Sequence, residues 1–200
     1  MAAENAKGAG FDGIEVHGAN GYLLDQFLRD GTNRREGAYG GSRENRARLL
    51  FEVLTACCEV WGSDRVGLRI SPLNSYNDII DSDPIGLAGW LASHLNAFNL
   101  AYLHVMRADF FGKQTGDVMT PIRENYHGTL IGNMGYTADE ADAAIQGGKL
   151  DAVAFGTAFL ANPDLPARFK ARAPLNTPDP ATFYTPGPKG YTDYPSLSSL

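Results

Sequence analysis

Five short apolar runs, each followed by small or polar residues and then by a helix-like segment, constrain this chain most. They are residues 13–17 (GIEVH), 65–71 (RVGLRIS), 100–106 (LAYLHVM), 129–133 (TLIGN) and 151–156 (DAVAFG). Runs this short and apolar read as buried strands of a parallel sheet. Between them, residues 43–61 carry Leu49, Leu50, Val53 and Leu54 at mixed three- and four-residue spacing, with charges elsewhere; this is the stripe of an amphipathic helix. Residues 84–97 open with Pro84, which suits a first helical turn, and residues 137–147 open with Thr137 and place Glu140 three later, a capping box. Strand and helix in alternation predict parallel βαβ units with right-handed crossovers. Such a row fits an open doubly wound sheet or part of an eight-stranded barrel.

The two ends differ from this pattern. The opening, "AAENAKGAG", reads as a short helix ending at Gly8 or Gly10, as though it belonged to a βα unit whose strand is missing. Residues 173–200 are dominated by Pro, Gly, Tyr and Ser. They read as an extended tail whose aromatics, Phe183, Tyr184, Tyr191 and Tyr194, pack on the domain. A net charge of −6 argues against nucleic acid or an anionic membrane as the partner. Cys57 and Cys58 are adjacent, a poor geometry for a disulfide or a metal site, so no metal and a cytoplasmic location are expected. No apolar run reaches the roughly 20 residues of a membrane span, and no signal-peptide pattern is present.

In either architecture function collects at the carboxyl ends of the strands, and the suggestive side chains fall there. His17, Asn20 and Tyr22 follow the first run, and Arg69 sits near the end of the second. His104 and Arg107 close the third, Asn133, Met134 and Gly135 the fourth, and Gly156 and Thr157 the fifth. An imidazole and a carboxamide can together polarise a carbonyl and hold enolate charge, and a phenol beside them can serve as general acid. Asn20-Gly21 also reads simply as a turn dipeptide, and Tyr22 as a core aromatic. Glycine turns after the last two strands suit a phosphate, or merely close tight βα turns. His104 reads as a packing or hydrogen-bonding residue at a strand end, and His94 and His127 as surface or loop residues. Ser42 reads as an N-cap, with Glu44, Asn45 and Arg46 tying down the helix it starts. Trp61 and Trp90 read as core or subunit-contact residues.

The stretches "GFDGIEVHGANGYLLDQFL", "YGGSRENRARLLFEV", "VGLRISP", "NDIIDSDP", "AYLHV", "GNMGY", "DAVAFG", "FLANPDLPARF" and "DPATFY…GYTDYP" together resemble the old yellow enzyme family of flavin-dependent ene-reductases. The resemblance runs from about residue 2 to residue 195 in family order. It implies an FMN-containing (β/α)8, or TIM, barrel that takes hydride from NADPH or NADH and reduces the activated C=C bonds of α,β-unsaturated carbonyl compounds. By position, His17 and Asn20 match the pair that anchors the substrate carbonyl, and Tyr22 matches the proton donor. Arg69 matches the arginine over the flavin's pyrimidine edge, Met134, Gly135 and Gly156 match the FMN-phosphate backbone, and Tyr184 matches the tail tyrosine of the substrate pocket. Thr157 stands where many members have an arginine on that phosphate; a hydroxyl cannot supply a charge-assisted fork, so weaker phosphate binding is implied. The cysteines lack the spacing of the iron–sulfur relatives.

Only the C-terminal half to two-thirds of the family pattern is matched, from the helix before the fourth strand. The resulting expectation is a partial α/β barrel of about five parallel strands over residues 1–172, followed by the tail at 173–200. Two functional readings follow: an FMN-dependent ene-reductase, or a catalytically silent barrel fragment that binds FMN weakly or needs a complementary chain. The expected partners are a small-molecule enone or related electrophilic alkene, and a second copy of the chain or a complementary barrel half.

Overall fold

The five apolar runs are five strands, β1 (Ile14–Gly18), β2 (Val66–Ile70), β3 (Tyr102–Met106), β4 (Leu130–Asn133) and β5 (Ala152–Ala154), paired in sequence order in one sheet. The computed structural model describes residues 1–197. Parallel strands in sequence order, each returning through a helix, make this a partial (β/α) barrel rather than a doubly wound sheet. The helices are α1 (Ala2–Gly8), α2 (Leu23–Leu28), α3 (Arg43–Trp61), α4 (Pro84–Leu95), α5 (Met119–Asn125), α6 (Ala138–Gln146), α7 (Thr157–Ala161) and α8 (Leu165–Ala171). By contact density the chain forms two compact units, Met1–Val153 and a second that starts at Ala154.

Local chemistry sets the helix ends in the first unit. Ser42 accepts the Asn45 N–H at the start of α3, and Arg46 donates to the carbonyls of Leu28 (2.8 Å) and Gly41 (2.7 Å), which ties that helix to the preceding loop. Asp83 caps α4 with Pro84 in the first turn. Thr137 and Glu140 close the capping box of α6 in both directions. Gly62, at φ 82°, ends α3 in a conformation that a side chain would strain.

Strand register divides the sheet into two faces. Val16, Leu68, Leu103 and Leu130 stand side by side and are buried against Leu50 and Leu54 of α3 and Leu91 and Leu95 of α4. Burying each leucine contributes about 1.5–3 kcal/mol. The next row, His17, Arg69, His104 and Ile131, points the other way. Parallel sheets usually bury both faces and carry apolar residues on each; here Glu15 and His17 are exposed and Arg69 and His104 only half-buried. This polar face is where sequence and structure part company, because an apolar run suggests burial on both sides.

The second unit is organised around α8. Arg168, 1% exposed, donates to Asp164 (2.7 Å) and to the carbonyls of Pro174 (2.6 Å) and Pro195 (2.8 Å). Asn176 binds Asn162 and the carbonyls of Ala161 and Pro195. Polar ties of this kind hold the tail; of its aromatics, Phe183 and Tyr194 are half-buried, whereas Tyr184 is 99% exposed and Tyr191 is exposed too.

Candidate active site

The loop between β1 and α2 holds the imidazole, the carboxamide and the phenol together. The rings of His17 and Tyr22 lie 5.5 Å apart, tilted by 55°. Asn20 takes a left-handed backbone (φ 57°), followed by Gly21 (φ 71°). A Cβ on Gly21 would lie 2.3 Å from the Tyr76 carbonyl oxygen, so this position has no room for a side chain. Three hydrogen bonds fix Asn20: its N–H donates to Ser71 Oγ (2.7 Å), its carbonyl accepts from Asn77 (3.2 Å), and its Oδ1 accepts from Asn74 Nδ2 (2.9 Å). With Oδ1 engaged, the NH2 end is left to donate, as a carbonyl anchor requires.

A buried ion pair lies beneath this loop. Asp25, 2% exposed, accepts from Gly21 N (3.0 Å), Arg29 Nε (2.8 Å) and Ser71 Oγ (3.4 Å), and Arg29 also donates to the Ser71 carbonyl. Burial pushes the Asp25 carboxyl up, while Arg29, the Gly21 N–H and Ser71 pull it back. Arg29 Nη1 is buried without a hydrogen-bond partner among the described residues, at a cost of about 1–3 kcal/mol. Ser71 thus joins the loop after β2 to the loop after β1.

Beside His17 in the strand register stands Arg69. Its Nη1 contacts His104 Nε2 at 2.5 Å and its Nη2 donates to Asn133 Oδ1 at 2.8 Å. Burial lowers the Arg69 pKa, and Glu15 opposes that. Past β4, Met134 (φ 82°) and Gly135 (φ 68°) form a left-handed turn. Arg107, packed 3.6 Å over the Tyr136 ring, draws in both carbonyls of the turn, Met134 at 2.9 Å and Gly135 at 2.8 Å. Among the described residues the N–H groups of Met134 and Gly135 have no acceptor, so two backbone donors stay open to an anion. A guanidinium on β2 and open backbone donors just past β4, two strands away, suit the ring edge and the phosphate of FMN.

The structure therefore groups His17, Asn20 and Tyr22, sets Arg69 beside His17, and places Met134 and Gly135 at the end of β4. Gly156 precedes α7 and Thr157 begins it; both, with Tyr184, belong to the second unit, where all three are exposed. Asn74, Ser71, Asp25 and Glu15 were not legible as site residues, because each acts through a partner on another strand or loop. The exposed cluster of Tyr76, Phe110 and Phe111 on the loops after β2 and β3 also carried no spacing signal. A cavity of about 620 Å3 beside α5 and α6, lined by Arg107, Arg123, Tyr136 and Lys149, contains Arg107 but none of the residues matched to flavin or substrate.

Residues 1–176 match the NADH:flavin oxidoreductase / NADH oxidase family, and the chain belongs to it. Among its relatives, a probable flavin mononucleotide-dependent alkene reductase of Leishmania infantum is 57% identical over 196 residues, covering 98% of this chain and 53% of that protein. The solved old yellow enzyme of Trypanosoma cruzi superposes with a TM-score of 0.93 at 48% identity, over 96% of this chain and 52% of that one. A morphinone reductase in complex with tetrahydroNAD superposes at 0.90 and 47% identity, over 98% and 53%. The chain thus spans about half the length of the relatives it matches. Among the described residues no helix is long and apolar enough to cross a membrane.

Proposed function

We propose that the chain holds FMN at the carboxyl end of its sheet and, with NADH or NADPH as reductant, reduces the activated C=C bonds of α,β-unsaturated carbonyl compounds. Arg69 holds the ring's pyrimidine edge and the backbone of Met134 and Gly135 receives the phosphate; Gly156 and Thr157, in the second unit, match the family's phosphate positions by resemblance. Bound FMN supplies hydride chemistry that side chains lack. His17 and Asn20 donate to the substrate carbonyl oxygen and stabilise the charge that builds there. Tyr22 delivers a proton to the α-carbon, and Tyr184, in the second unit, matches the family's pocket tyrosine by resemblance. The observation that carries this reading is Asn20, whose Oδ1 is held by Asn74 so that its amide hydrogens remain on the loop shared with His17 and Tyr22.

Separating the two half-reactions tests it. In Tyr22→Phe, enone reduction should fall about 100-fold or more, with flavin reduction by NADPH nearly unchanged. An equal fall in both would remove Tyr22 from the proton-donor role. The open polar face of the sheet, with Glu15 and His17 exposed, favours a second reading: the chain is silent alone and acts once another chain covers that face. In that case enone reduction should appear only after mixing with the separately produced N-terminal half of a relative.

A further inference from the structure

His104 is not used by the proposed function, yet it stands at the centre of the polar sheet face. Its Nδ1 lies 3.0 Å from Glu15 Oε2 on β1, and Arg69 Nη1, on the strand between them, lies 2.5 Å from its Nε2 and 3.2 Å from its Nδ1. Arginine donates only, and an ionised carboxylate accepts only. Both contacts are compatible with a neutral imidazole that carries its hydrogen on Nδ1 toward Glu15 and leaves unprotonated the Nε2 that lies nearest Arg69. An imidazolium would set a second cation against the guanidinium.

The surroundings favour this arrangement. Tyr102 gives Glu15 a second hydrogen bond. Burial and the Glu15 charge push the Tyr102 phenol up to about 12. Burial acts to raise the Glu15 carboxyl, but hydrogen bonds from His104 and Tyr102 and the nearby positive charge outweigh it and hold the group below its ordinary range. Gly67 makes the crossing possible, since a Cβ there would lie 2.3 Å from the Tyr102 ring. Arg69, held by His104 on Nη1 and Asn133 on Nη2, is thereby fixed in orientation before a ligand arrives.

We propose that Glu15 and His104 are positioning residues: the carboxylate sets the imidazole tautomer, and the imidazole fixes the guanidinium of Arg69 for the flavin ring. The assignment rests on Arg69 facing FMN, as proposed above. A hydrogen-bonded second layer of this kind reduces the ordering cost of a long side chain at the moment of binding.

The test begins on the chain without flavin. Nitrogen-15 NMR of labelled histidine, with His104 identified by its loss in His104→Gln, should show a neutral Nδ1–H imidazole, and Glu15→Ala should abolish that preference. The opposite tautomer or an imidazolium in the native chain would overturn the proposal. With FMN, His104→Phe should weaken binding about ten-fold and His104→Gln, whose amide can still accept and donate, less than about three-fold. His104→Phe should add no further loss in an Arg69→Met background; an equal loss in both backgrounds would mean that His104 acts on the fold and not through Arg69. If the native chain took up no FMN, the functional reading would fall, while the tautomer would still decide this proposal.

Discussion

Asn20 shows how one side chain's chemistry is decided by another far along the sequence. Its backbone angle and its neighbours on β1 are local matters, and "EVHGANGY" announces them. Which end of its carboxamide faces outward is decided by Asn74, 54 residues away. Asn74→Ala should therefore weaken binding of a phenol to the flavin-loaded chain about ten-fold; because Asn74 is fully buried and also accepts from Phe110 N, the denaturant midpoint should fall as well. Unchanged phenol affinity would show that the Asn74 bond does not orient Asn20. Thr157 makes the complementary case at the phosphate: Thr157→Arg should tighten FMN binding about ten-fold at low salt, with most of the gain lost at high salt. The titration of flavin fluorescence at the two salt concentrations checks it.

At the scale of elements, the helices that carry their own end signals were legible. Ser42, Pro84 and the Thr137–Glu140 box fixed α3, α4 and α6 nearly to the residue. The short helices α2, α5, α7 and α8 were not, because five to seven residues of weak pattern form a helix only where tertiary contacts hold them. Loop chemistry was hidden for the same reason. Asp109 accepts from Ser75 N (2.8 Å) and Oγ (3.0 Å), Phe111 N (3.2 Å), Lys113 N (2.8 Å) and Gln114 N (3.2 Å), joining the loops after β2 and β3. Burial acts to raise this carboxyl, but these donors outweigh it and hold the pKa below the ordinary value. A depressed folded-state pKa means stabilisation that is fully present above the unfolded value of about 4 and is lost as pH falls through the folded value. Asp109→Asn should remove that part of the dependence, so the wild type loses more denaturant resistance than the variant between pH 7 and pH 3. Parallel losses would contradict it.

For the whole molecule, strand order and one apolar row define the architecture, while the opposite row defines what the chain can do. Val16, Leu68, Leu103 and Leu130 were legible as core because period and composition agree. That the alternate residues Glu15, His17, Arg69 and His104 share a polar face follows only from the register. This face brings His17, Arg69 and His104 together beside Glu15, and it is the side of the sheet that stays partly exposed. Whether it serves FMN by itself is decided most directly by titrating the purified chain with FMN and following the quenching of flavin fluorescence, with Arg69→Met in parallel. Saturation near one FMN per chain is expected, weakened at least about ten-fold in the variant; no saturable binding, or equal binding by both proteins, would overturn the role given to this face.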